Sequence, residues 1–160
     1  MIDLDDNETS AFLHSGCALL VGTIGADGLP RACRAWGLSV VDAGSAVIRV
    51  LVEDDDPVTL KNLRDDGRVA VTATSVRTHR SIQFKGRVVS TERPTAEDEA
   101  RREHYTKLFL TDINDSHRYS PEMLARWARQ HVVACVVELA ASFDQTPGPS
   151  AGSVIDKDNR

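Results

Sequence analysis

Between Lys61 and Gly86 the chain reads KNLRDDGRVAVTATSVRTHRSIQFKG, a short polar helix pattern followed by two stretches that alternate in polarity residue by residue. Gly67 ends the helical piece. Beyond it Val69, Val71 and Ala73 interleave with Arg68, Ala70, Thr72 and Thr74, and a period of two is what a strand with one buried face requires. Ile82, Phe84 and Val88 repeat the pattern on one parity, with Ser81, Gln83 and Lys85 on the other. Gly86 interrupts this second run, where a missing side chain suits a bulge or the close approach of another backbone.

The flanking sequence supplies partners for that pair. From Cys17 the run CALLVGTI has strand composition, Asp27-Gly28 provides a hairpin turn, and LPRACRAWGLSVV returns as a longer partner with Pro30 near its start. A second turn, DAGS, leads into AVIRVLVE, so 17–53 reads as a three-stranded antiparallel meander. The segment EDDDPVTLKNLRDDG specifies a short helix with Asp56 at the N-cap, Pro57 at the first helical position and Gly67 just past the end. A helix over 3–15 uses Phe12 and Leu13 as apolar contacts, stops at Gly16 and plugs one end of the barrel. Thr95 with Asp98 opens a charged helix, and Ser120-Pro121-Glu122 opens another, with Leu124 and Trp127 on one face. HVVACVVELAASF is a last, nearly continuously apolar strand. Six strands and few helices predict a mainly β fold, a closed or nearly closed six-stranded antiparallel barrel over 1–144. Residues 145–160, rich in Pro, Gly, Ser and charge, read as an extended or partly disordered tail.

Composition narrows the function classes. A chain of 160 residues fits one domain, large enough to bury ~70% of its unfolded surface without staples. Its net charge of -5 argues against general affinity for nucleic acid. The acidic start MIDLDDNETS is unlike a signal peptide, and no apolar run approaches the ~20 residues of a membrane helix, so a cytoplasmic protein without membrane contact is expected. Cys17, Cys33 and Cys135 form no CxxC pair, which favours buried thiols over disulfides. The five histidines show no HExxH or HxH spacing, so no metal site is assigned. The sequence contains no GxSxG, GxGxxG or GxxxxGK[ST], which removes the nucleophile elbow, the Rossmann turn and the P-loop. The basic residues Arg31, Arg34, Lys61, Arg64, Arg77, Arg80 and Lys85 have two readings: a phosphate-holding group, or an ordinary solvated surface. His79 beside Arg80 is either an acid–base group or a solvent-facing loop residue.

The order strand, Asp-Gly turn, strand, short strand, NLR helix, G-R-V-A-V strand and R-S-x-Q-x-K-G strand resembles the pyridoxamine 5'-phosphate oxidase-like FMN-binding split barrels, over roughly 11–91. The resemblance implies a split barrel that acts as a homodimer, with two FMN sites built from both subunits. It also implies an oxidoreductase in which the flavin supplies the electron chemistry, so no catalytic side chain is assigned. In relatives the second strand runs along the flavin ring. That assigns Ala35 and Gly37, small enough for close approach, and Trp36, whose second reading is a core filler. Arg followed by Gln or Ser opens the fifth strand of relatives, matched here by Arg80 and Ser81. Their Ser/Arg/Lys phosphate clamp is replaced by Pro57, Val58 and Thr59, which leaves Lys61 as the nearest cation on that helix. The expected cofactor set is therefore Arg31, Arg34, Ala35, Trp36, Gly37, Lys61, Arg80 and Ser81. The phosphate is expected among Lys61, Arg80 and Ser81, with Arg31 or Arg34 nearby.

Two departures point away from vitamin B6 as the substrate. Leu38 stands where the oxidases carry a basic clamp, and PGPSAGSVIDKDNR lacks their C-terminal Trp-Arg-His group. The reading from another class is a module that holds a flavin, a deazaflavin such as F420, or haem without turning it over, or a barrel that has lost its ligand.

Overall fold

The alternation in the sequence becomes the inside and outside of a barrel. Residues 2–127 and 131–156 are described by a computed structural model. Its strands are β1 (Ala18–Ile24), β2 (Pro30–Asp42), β3 (Val47–Glu53), β4 (Arg68–Thr74), β5 (Ser81–Glu92) and β6 (Val132–Asp144). All neighbours are antiparallel and the barrel closes in the order β1-β2-β3-β6-β5-β4. Its helices are α1 (Asn7–Leu13), α2 (Pro57–Asp65), α3 (Ala96–His117) and α4 (Pro121–Trp127). β1 is shared, paired with β2 from Leu19↔Ala35 to Ile24↔Pro30 and with β4 from Ala18↔Thr74 to Thr23↔Val69. Leu19, Val21, Ile48, Val50, Val71 and Phe84 fill the interior with almost no exposure. Each such side chain contributes ~1.5–3 kcal/mol by leaving water.

The glycine in the second alternating run is a close approach. A Cβ on Gly86 would lie 2.1 Å from the Glu138 carbonyl oxygen, and the β5–β6 register shifts at that point. α2 starts and stops as its sequence dictates: the Asp56 side chain accepts from the Val58 N–H, Pro57 opens the helix, and Gly67 follows at φ 74°. The Gly67 carbonyl then accepts from the Val88 N–H at 2.8 Å, tying the helix end to β5. α1 docks where β5 begins, with Phe12 and Leu13 buried and Arg80 stacked 4.8 Å from the Phe12 ring centre. Gly16 follows at φ 77° and packs on α3, where a Cβ would meet that of Leu108 at 2.5 Å.

Beyond Asp144 the chain folds back rather than running on as an extended arm. The Gln145 N–H donates to the Ser81 carbonyl, Asp144 and Ser153 are hydrogen-bonded, and Val154 bridges to Phe143. Ser142, wholly buried, accepts the Ile2 N–H on its hydroxyl at 2.7 Å and donates to the Ile155 carbonyl at 3.2 Å, so Ile2 and Ile155 meet on β6. Composition alone hides this, because the pairing is carried mostly by backbone groups. The described residues contain no helix long and apolar enough to cross a membrane. In α4 the Leu124 N–H donates to the Ser120 carbonyl, as a helix start there requires; the side chain of Trp127 lies outside the described ones.

α3 is strapped on by charge at its start. Thr95 and Asp98 form a reciprocal capping box. Arg49 on β3 reaches the same carboxylate, its Nε and Nη2 donating to Asp98 at 2.9 and 2.7 Å and its Nη1 to Glu92 at 2.6 Å. The Arg49 guanidinium, aided by Thr95, brings the Asp98 carboxyl down to about 2. A carboxyl held below its unfolded value stabilises the fold above that value and loses the contribution as pH falls through the folded one. Asp98→Asn is therefore expected to cost about 1–3 kcal/mol at neutral pH. In urea titrations the gap to wild type should close between about pH 4 and pH 2; a gap constant across that range would show that the ion pair is not its source.

Candidate functional site

The outer face of β2, β1, β4, β5 and β6 carries a groove of about 1010 Å³. Its floor follows from the ladder register: Ala32 lies opposite Gly22, Gly22 opposite Ala70, and Ala70 opposite Lys85. Leu19, Val21 and Thr23 take the inward parity of β1, so Gly22 belongs to the outward one. Three adjacent strands thus show nothing larger than a methyl group, and at ~4.8 Å between strands this leaves a smooth floor about 10 Å across. A Cβ on Gly22 would come no nearer than 3.8 Å to Ala70, so the fold itself does not demand glycine there. Ala140, at the β6 register shift, adds to the lining.

Charge is concentrated on this face. Arg31, Arg68, Lys85 and Arg87 line the groove, with Glu138 as the carboxylate among the described lining residues, on a chain whose net charge is -5. Asp66, just past α2, organises two of these cations: Arg68 donates from Nε and Nη2 to its carboxylate at 2.7 and 3.0 Å, and Arg87 donates to its backbone carbonyl. The Arg68 fork holds the Asp66 carboxyl below its ordinary range. A second pocket of about 420 Å³ adjoins at the β1–β2 turn and α2, sharing Ile24 and Arg31 with the groove. Lys61 lines it, paired with Asp65, and the Asn62 side chain donates to Thr23 at 3.2 Å, fixing α2 over this barrel end.

The structure brings together two of the eight residues expected at a cofactor site, Arg31 and Lys61. Arg80 and Ser81 lie at the other end of the barrel. Ser81 pairs with Thr74 and Thr74 with Ala18, six residues along β1 from Ile24, which is about 20 Å at ~3.3 Å per residue. There Arg80 is ion-paired with Glu8 at 2.7 Å, and Ser81 is buried with its hydroxyl on Thr74 and its N–H donating to Thr146. A single phosphate among Lys61, Arg80 and Ser81 of one chain is ruled out by this separation.

Arg34, Trp36 and Gly37 are covered by α3. Trp36 is 1% exposed, edge-on to Tyr105 and Phe109 at 6.3 and 6.0 Å, and its indole N–H donates to Glu53 at 2.8 Å. The core reading of Trp36 is the one realised. The Arg34 guanidinium lies 4.5 Å from the Phe109 ring centre with Nε and Nη2 shielded from solvent. Gly37 faces Leu51 and Arg101, and Ala35 points into the barrel with no exposure. None of the four lines the groove. His79, in the β4–β5 turn, is exposed at φ 60°, the solvent-facing reading. Burial pushes the thiols of Cys17, Cys33 and Cys135 up to about 12, so none is a ready nucleophile. Of the residues that line the groove, Gly22, Ala70, Arg68 and Arg87 were not singled out from the sequence, whereas Ala32 opens the ACRAWG stretch that the family resemblance places along the ring. Their signal was the outward parity of strands read only for their inward one.

No family model and no curated protein matches the sequence. Solved structures do. HupZ of Group A Streptococcus is similar at 16% identity and a TM-score of 0.54, over 95% of this chain and 100% of that one. A candidate pyridoxamine 5'-phosphate oxidase from Lactobacillus delbrueckii is similar at 17% identity and a TM-score of 0.52, over 89% and 99%. An F420 reductase is similar at 18% and 0.50, over 83% and 94%. The fold is thus that of the pyridoxamine 5'-phosphate oxidase-like split barrels, as the order of elements in the sequence implied.

With an exposed ion pair and one ring contact as its interactions, Arg80→Ala should lower the unfolding free energy by about 0.5–1.5 kcal/mol. FMN affinity, followed by quenching of flavin fluorescence, should be unchanged, and a tenfold loss would return Arg80 to the cofactor.

Proposed function

We propose that this chain binds a flat, anionic cofactor of the flavin type, FMN before a deazaflavin such as F420, in the groove on the outer sheet face, and serves as an FMN-dependent oxidoreductase. The observation that carries this reading is the pairing of a side-chain-poor floor, Ala32, Gly22 and Ala70, with a cationic rim at one end. The floor suits an aromatic face, and Arg68 and Arg87, held in place by Asp66, suit a phosphate. Arg31 and Lys61 extend that positive end into the neighbouring pocket. When bound, the flavin supplies electron transfer, while the chain orients it and sets its electrostatics. Haem fits less well, because the described lining residues of the groove include no His, Cys, Met or Tyr to act as an axial ligand. The groove is open along one side with Leu20, 49% exposed, beside it on β1, and a second copy of the chain in a homodimer would cover it.

The test is a titration of wild type, Arg68→Ala and Arg87→Ala with FMN and with riboflavin. Wild type should hold FMN more tightly, and each substitution should weaken FMN about tenfold, a contact of ~1.4 kcal/mol, while leaving riboflavin unchanged. Equal affinity of wild type for the two flavins, or no binding of either, would remove the reading. Bleaching of the bound flavin by NADH or NADPH separates an oxidoreductase from a module that only holds its ligand.

A further inference from the structure

We propose that Lys85 is the residue that orients the cofactor ring and selects for a ring with a polar, ionisable edge. The inference rests on the flavin-type reading above. The row across the floor runs Ala32, Gly22, Ala70, Lys85, one position on each of β2, β1, β4 and β5. It begins at an alanine and ends at a lysine, whose ammonium reaches on toward Phe143 of β6. A three-ring system spread over the small residues has one edge against Ala32 and the other against Lys85. A flavin ring has the matching asymmetry, a dimethylbenzene edge at one end and a pyrimidine edge with two carbonyls and an acidic imide N–H at the other. The apolar edge belongs with Ala32 and the imide edge with Lys85.

The surroundings leave Lys85 free for this. Its ammonium has no carboxylate partner among the described residues and lies 4.6 Å from the Phe143 ring centre, an exposed cation–ring contact that a ligand can share or replace. Gly86, whose Cβ position is taken by the Glu138 carbonyl, fixes the backbone beside it. The other charges around the row are Arg68 on β4, Arg87 on β5, Arg31 on β2 and Glu138 on β6. Arg68 and Arg87 are held toward α2 by Asp66, so a phosphate at that end and a ring edge at Lys85 engage different cations.

Lys85→Met and Lys85→Arg separate orientation from general attraction. With FMN bound, an alkaline titration followed by flavin absorbance reads the ionisation of the imide N–H, which a nearby cation favours. Lys85→Met should move that ionisation to higher pH by at least half a unit and weaken FMN about three- to tenfold, while Lys85→Arg stays near wild type. An anionic aromatic dye without an imide, 8-anilinonaphthalene-1-sulfonate, should bind wild type and Lys85→Met alike. If the bound imide ionises at the same pH in wild type and Lys85→Met, or if dye and FMN weaken in equal measure, Lys85 is a general surface charge and the assignment fails. That failure leaves the phosphate discrimination by Arg68 and Arg87 intact. Wild type that binds no FMN overturns both readings together.

Discussion

The simultaneous pairing of β1 with β2 on one side and β4 on the other is the interaction on which the rest of this molecule depends. It closes the barrel, so no edge is left among these strands to invite foreign pairing. It also sets the register that puts Leu19, Val21 and Thr23 inside. A shift of one residue would turn those side chains out and the small ones in. The same register aligns Ala32, Gly22 and Ala70 on the opposite face, so core and groove are two sides of one ladder.

α3 decides which parts of the outer face remain open. Anchored at its start through Arg49 and Asp98 and near its end through Arg77 to Asp112 and Asp115, it lies over β2 and seals Trp36 beneath Tyr105 and Phe109. The Tyr105 hydroxyl donates to the Cys17 carbonyl at 2.6 Å, so the helix also holds the chain as it enters β1. What the helix leaves uncovered is the face where side chains are small and cations collect.

The fold was legible because each signal was local. The Asp27-Gly28 turn, the Asp56 and Thr95 caps and the alternation of Val69, Val71 and Ala73 each report their own conformation. The placement of the candidate residues was legible in part. Arg31 and Lys61 do meet at one pocket, but the convergence of α2 and the start of β5 on one rim, expected from element order and from cations coinciding with a hydroxyl, does not occur within one chain, because β4 carries the chain a full strand length away from α2 before β5 begins. Within one chain the seven residues of β4 keep those two ends apart, and that length is in the sequence. The core reading of Trp36 was open in the sequence; the residues that cover it, Tyr105 and Phe109, lie four residues apart and thus on one face of α3. The return of 145–156 onto β6 rests mostly on backbone bonds, helped by short polar side chains such as Ser142 and Thr146 that carry no periodic pattern, and was not legible from composition.

The claim that joins these observations is that the small-residue floor is a binding surface and not merely a bare stretch of barrel. Amide chemical shifts recorded while FMN is added to the ¹⁵N-labelled protein test it most directly. Shifts concentrated at Gly22, Ala32, Ala70, Lys85 and Arg87, with Trp36, Arg80 and Ser81 unmoved, are the expected result. Shifts centred on Arg80 and Ser81 with the floor residues unmoved would contradict it.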